Sequence, residues 1–122
     1  MNTTSFNVES FKNELGQFYG TEGYQRFGRI LLTDGVTFLA TKGECFWLLN
    51  IVTSILHLPE IKKEEFITIK FTRTPNTDGG TFVAEDGNGN VLYTQDIEYT
   101  DFPLDTITLF LTDNVLMLPS EY

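Results

Sequence analysis

The chain has 122 residues, enough for one hydrophobic core and too few for two. Seventeen acids against eight bases give a net charge of −9, which repels nucleic acid phosphates and anionic membranes and favours a basic protein partner. One cysteine excludes an internal disulfide, and the longest apolar run, Cys45–Leu49, falls far short of the ~18 residues a spanning helix needs.

Eleven Phe, five Tyr and one Trp let a small core bury much area for each residue ordered. A single ordered domain over residues 1–122 is expected. The opening residues, from Met1 to Ser5, carry neither the basic nor the apolar stretch of a secretory signal. A reducing cytoplasm is the expected compartment.

The first element is a helix from about Val8 to Tyr19. Asn7 caps it, Phe11, Leu15, Phe18 and Tyr19 share one stripe, and Gly20 and Gly23 end it. Tyr24–Leu32 reads either as a connector or as a short strand. Thr33–Ala40 also admits two readings. Asp34 and Gly35 form a hairpin turn between strands at Arg29–Thr33 and Val36–Thr41, or Thr33 caps a short helix that turns Val36, Leu39 and Ala40 inward. The helix is favoured. A further helix, from about Glu44 to His57, gathers Trp47, Leu48, Ile51, Val52, Ile55 and Leu56 on a broad apolar face, with Trp47 in the core. Leu58 before Pro59 stops it, because a residue preceding proline avoids helical geometry. Glu60–Glu65 is a charged connector.

At Phe66 the period changes to two. Ile67, Ile69 and Phe71 face one way, and Thr68, Lys70 and Thr72 the other. A polar loop at Thr74–Gly80 leads to a strand at Thr81–Glu85 and a tight hairpin loop at Asp86–Asn90. The next strand, Val91–Tyr99, turns Val91, Tyr93, Ile97 and Tyr99 inward and Thr94, Asp96 and Glu98 outward. Thr100–Leu104 is a connection. Thr106–Thr112 follows with Ile107, Leu109 and Leu111 on one face. Asp113 and Asn114 make a two-residue turn before a short last strand, Val115–Leu118. Helices first and sequential strands after give an α+β fold, with N-terminal helices packed on one face of a four- to five-stranded antiparallel sheet. The other face is half solvated.

Few residues suit catalysis. Asp86–Asn90 matches the start of an EF-hand loop, yet Val91 and Ile97 stand where that loop needs Gly and Glu, so a plain hairpin is the better reading. His57 has no Cys or acid at metal-ligand spacing, and the last turn of an apolar helix suits it structurally. Cys45 lies ~18 Å along the same helix from His57, too far for a nucleophile–base pair, and reads as a small buried hydrophobe. No metal, cofactor or phosphate-binding glycine loop is expected. Asp96 and Glu98 stand about 7 Å apart on one strand face. With Glu85, they are the carboxylates a small hydrolase or transferase would use.

Four segments together resemble an uncharacterised bacterial family, a domain of unknown function that occurs in cyanobacteria and other bacteria. They are Thr33–Ala40 (TDGVTFLA), Cys45–Leu49 (CFWLL), Asp96–Leu104 (DIEYTDFPL) and Leu116–Tyr122 (LMLPSEY). The resemblance spans most of the chain from about Gly28 and implies no activity. The functional expectation is a non-enzymatic, acidic protein-binding module, an inhibitor or adaptor acting on a basic surface, with Glu85, Asp96, Glu98 and Asp101 as its contacts. The alternative is a homo-oligomeric structural protein, such as a dimer, that meets itself through exposed aromatics such as Phe110 and Tyr122.

Overall fold

The period-two segments build the centre of the molecule. The computed structural model describes residues 7–122, so the segment read for a secretory signal lies outside the described residues, as does the start of the expected domain. Strand β3 (Phe66–Arg73) pairs antiparallel with β4 (Gly80–Asp86) on one side and β6 (Thr106–Thr112) on the other. Strand β5 (Val91–Ile97) lies outside β4. One face of these strands buries Ile67, Ile69, Phe71, Phe82, Ala84, Leu109 and Leu111. Alternation then sends the intervening residues outward.

The sheet has seven strands rather than four or five, and it is mixed. The additional strands come from Tyr24–Leu32: β1 (Gln25–Phe27) and β2 (Ile30–Leu32), joined by a turn at Gly28, whose φ is +62°. Strand β7 (Val115–Met117) pairs antiparallel with β6 and parallel with β2, giving the order β1-β2-β7-β6-β3-β4-β5. Three residues carry no legible period, and the partner of β2 is remote in sequence. The parallel pair follows because helices separate β2 from the rest of the sheet.

Two inward assignments on β5 are corrected. A bulge between Ala84 and Glu85 pairs Glu85 with Val91, which turns Val91 outward to 59% exposure. Tyr99 lies beyond the end of β5 and is also exposed.

Helix α1 (Val8–Leu15) starts where Asn7 Oδ1 accepts from the Ser10 N–H, and it buries Phe11 and Leu15. Gly16 ends it before Tyr19, which is left exposed. Helix α2 (Asp34–Lys42) settles the ambiguous segment: Thr33 Oγ1 accepts from the Val36 N–H, and Val36, Leu39 and Ala40 are buried. Helix α3 (Phe46–Ile55) buries Leu48, Leu49, Val52 and Ile55. Trp47 is half-buried and meets Phe71 and Phe102 edge-on, at centroid distances of 5.1 and 6.5 Å. It seals the core rather than filling it. The charged connector contains a helical turn, α4 (Pro59–Lys62), which drops Ile61 into the same core.

A long-range polar clasp ties the first and last of the four family-like segments together. A 3₁₀ turn at Pro119–Glu121 brings the Glu121 carboxylate to the N-terminus of α2. Its Oε1 accepts from Thr33 Oγ1 at 2.6 Å and from the Leu118 N–H at 2.9 Å, and its Oε2 accepts from the Gly35 N–H at 3.0 Å. A carboxylate is well placed there, because the first N–H groups of a helix have no partner within the helix. A Cβ on Gly35 would fall 2.6 Å from Leu118 Cδ1 and 2.7 Å from Glu121 Oε1, so any larger residue there requires the Leu118 and Glu121 side chains to move.

Candidate functional site

The helices cover one face of the sheet, and no described helix covers the other. Strand register places Arg26, Lys70, Glu85 and Asp96 as the charged residues on the outward strand positions. Lys70 Nζ lies 3.1 Å from Glu85 Oε1, so Glu85 is already neutralised by a neighbour. Asp96 accepts a long hydrogen bond from Thr81 Oγ1 at 3.5 Å. Seven other outward positions are threonines, Thr68, Thr72, Thr81, Thr94, Thr106, Thr108 and Thr112, and about as many are apolar. Toward β7 the face turns apolar. Phe66, Phe110 and Tyr122 form a three-ring cluster with centroid separations of 5.0, 5.3 and 5.6 Å.

The remaining candidate acids leave this face. Glu98 and Asp101 belong to the β5–β6 connection, at the end of the sheet where the β3–β4 loop also turns. The Thr100 N–H donates to the Asp78 carbonyl at 2.7 Å and joins the two loops. Asp78 and Asp105 therefore stand at the same end as Asp96, Glu98 and Asp101, and all five residues are exposed. From Asp96 to Asp105 the chain has four acids and no base. Tyr99, 71% exposed, sits within that stretch.

This connection is anchored from below. Phe102 and Leu104 are buried, and Phe102 packs against both Trp47 and Phe71. Thr100, also buried, accepts from the Phe102 N–H through its hydroxyl. Arg73, the nearest cation of the adjoining strand, spends its guanidinium on the Phe102 carbonyl at 2.7 Å.

Glu85, Asp96, Glu98 and Asp101 do not converge. Asp101 borders a shallow cleft of about 320 Å³ with Lys42 and Glu44. Glu85, Asp96 and Glu98 line neither that cleft nor the two larger ones. A cleft of about 590 Å³ lies between Arg73, Pro75 and Asp105 at the acidic end. Another, of about 680 Å³, lies at the opposite end, where Arg29, Lys62, Glu64, Glu65 and Asp113 surround Leu56, Ile61 and Leu111.

The other sequence candidates have structural explanations. The Cys45 side chain is fully buried, its thiol approaches the Leu39 carbonyl at 3.6 Å, and burial pushes its pKa up to about 12. A thiol in that state is a poor nucleophile. Asp86 closes the β4–β5 hairpin: it accepts from the Asn90 side-chain amide and from the N–H groups of Asn88 and Asn90. Those bonds, the Asn90 side chain first, hold its carboxyl below the usual range. Among the described residues, no group of three or more His, Cys, Asp or Glu is placed to hold a metal ion. Among them, too, no helix is long and apolar enough to cross a membrane.

Sequence reasoning missed Asp78, Asp105 and the partnership of Phe66 with Phe110 and Tyr122. The outward position of Phe66 was available from its odd place in the β3 alternation. The clustering required the β3–β6 register, which pairs Thr68 with Phe110.

No curated protein and no solved structure matches the chain. A family model matches residues 9–122, described as a family of unknown function (DUF6876). The chain belongs to that family, and the four segments that suggested it form the Glu121 clasp, the Trp47–Phe102 packing and the acidic connection.

Proposed function

We propose that the chain is a small non-enzymatic module that binds a basic protein surface through the acidic end of its sheet. The observation that carries this reading is the Asp96–Asp105 connection, with four carboxylates, no cation and an exposed tyrosine on a loop pinned by Phe102 and Leu104. Asp78 adds a fifth acid from the adjoining loop. A loop already held by buried anchors loses little entropy on binding, so its charges serve affinity and not only solubility. Clustered acids also steer a basic partner into contact. The ring of Tyr99 offers a face on which a lysine or arginine can stack. Glu85 adds little net charge, because Lys70 sits against it. An inhibitor or adaptor in a bacterial cytoplasm fits the composition.

The test is a tagged pull-down from a bacterial lysate at low and high salt, with a Glu98→Lys/Asp101→Lys variant beside the parent. Recovery of a basic protein at low salt is expected, lost both on adding salt and in the variant. Equal recovery by the parent and the charge-swapped chain would remove the acidic end from the interaction.

A further inference from the structure

The outward strand positions carry two cations, Arg26 and Lys70, and two anions, Glu85 and Asp96, on a chain whose net charge is −9. The excess acid therefore lies elsewhere, on the loops, the edges and the helical side. From this charge balance and the apolar cluster beside it, we infer that the open sheet face is the interface of a homodimer, with two copies packed sheet on sheet.

Two chains of charge −9 repel each other in most orientations, and the repulsion is least where the facing surfaces are each neutral. The open face meets that condition, whereas the acidic end does not. A two-fold axis presents each copy with the same surface, so a face that holds both signs is complementary to itself. The Lys70–Glu85 pair supplies both signs on neighbouring strands. A strongly basic partner gains nothing from a neutral face, which argues for a second copy over the partner proposed above.

Apolar area is present as well. Phe66, Phe110 and Tyr122 form the ring cluster, and register sets Met117 beside Phe110 and Leu31 beside Val115. Tyr122 is 74% exposed. The rest of the face is largely threonine, short enough for two sheets to approach at the usual ~10 Å. Four strands of seven or eight residues, about 25 Å long, and three of three residues, about 10 Å long, at ~4.8 Å spacing outline roughly 600 Å², the same order as the ~800 Å² that each partner buries in a stable interface. The inference does not depend on the acidic-end reading.

Sedimentation equilibrium over a wide protein concentration range, at low and high salt, tests it. A monomer–dimer equilibrium is expected, unchanged or tightened by salt because screening removes the repulsion between like-charged copies. Phe110→Glu is expected to weaken the dimer about 100-fold by placing like charges in the interface. Thr108→Glu, outside the ring cluster, is expected to weaken it at least ~10-fold, with circular dichroism and melting temperature kept. Asp101→Lys is expected to leave the dimer unchanged. A monomer at every concentration overturns the inference. So does a dimer that salt dissociates, one indifferent to both face substitutions, or one lost in Asp101→Lys.

Discussion

Removing the Glu121 carboxylate is expected to loosen two distant parts of the fold at once. The side chain accepts from Thr33 Oγ1, the Leu118 N–H and the Gly35 N–H. A hydrogen bond to a charged group is worth about 1.5–3 kcal/mol, but Glu121 is only half-buried, so water recovers part of each loss. About 1 kcal/mol for each of the two backbone donors, and about 0.5 kcal/mol for the charge at the α2 N-terminus, make Glu121→Ala cost roughly 2–3 kcal/mol. Glu121→Gln keeps an oxygen for Thr33 or Gly35 and is expected to cost about 1 kcal/mol. Urea unfolding followed by the emission of Trp47, the sole tryptophan, measures both. Gly35→Ala separates this account from ordinary helix propensity. Inside a free helix that change stabilises by about 1 kcal/mol. Here the new methyl collides with Leu118 and Glu121, so a loss is expected, and a smaller one in the Glu121→Ala background. A Glu121→Ala cost below ~0.5 kcal/mol, or a stabilised Gly35→Ala chain, would refute the clasp.

Cys45 is expected to resist alkylation in the native protein near neutral pH and to react once the chain is unfolded; native labelling as fast as unfolded labelling would contradict its burial. Because its folded pKa is raised, the fold keeps the proton, and stability is lost only as pH climbs above the ordinary thiol value of 9.0. Asp86 has the opposite sign. Its folded pKa is depressed, so the stabilisation it lends the β4–β5 hairpin is full above 3.8 and lost as pH falls through the lower folded value. Asp86→Asn is expected to lower the melting temperature near neutral pH and to flatten its acid limb; an acid limb equal to that of the parent would show that the carboxylate contributes nothing.

Much of the sheet was legible because its chemistry is local. Strand β6 runs over Thr106–Thr112 as its alternation predicts, and Asp113 and Asn114 take φ values of +53° and +63° in the expected two-residue turn. The cap at Thr33 and the cap at Asn7 were equally local. What escaped was non-local or small. Strands β1 and β2 are each three residues long, and β2 is ordered by pairing with β7, not by its own pattern. Glu121 reads as one more surface acid until the fold sets it over α2. The bulge at Ala84 and Glu85 reverses the facing of Val91, which no count of alternation anticipates. The candidate acids were found in part for the same reason. Asp96, Glu98, Asp101 and Asp105 are neighbours in sequence, whereas Asp78 joins them only through the pairing of two loops.

The charge of −9 carries more information once it is located. If it served solubility alone, the excess acid would be spread over every surface, including the open sheet face. The outward strands instead carry balanced charge, and five exposed carboxylates gather at one end of the sheet, with Asp96 alone at the border of the two surfaces. These two surfaces respond to salt in opposite directions. Screening weakens the attraction of the acidic end for a basic partner, and it relieves the repulsion between two copies of the chain. A dimer that survives in high salt while a basic partner is released there requires two separate surfaces. Glu98→Lys/Asp101→Lys then removes the partner and spares the dimer, whereas Phe110→Glu does the reverse. A single substitution that abolished both associations in a folded chain would mean that the two surfaces are one, and would refute the division of charge on which both proposals rest.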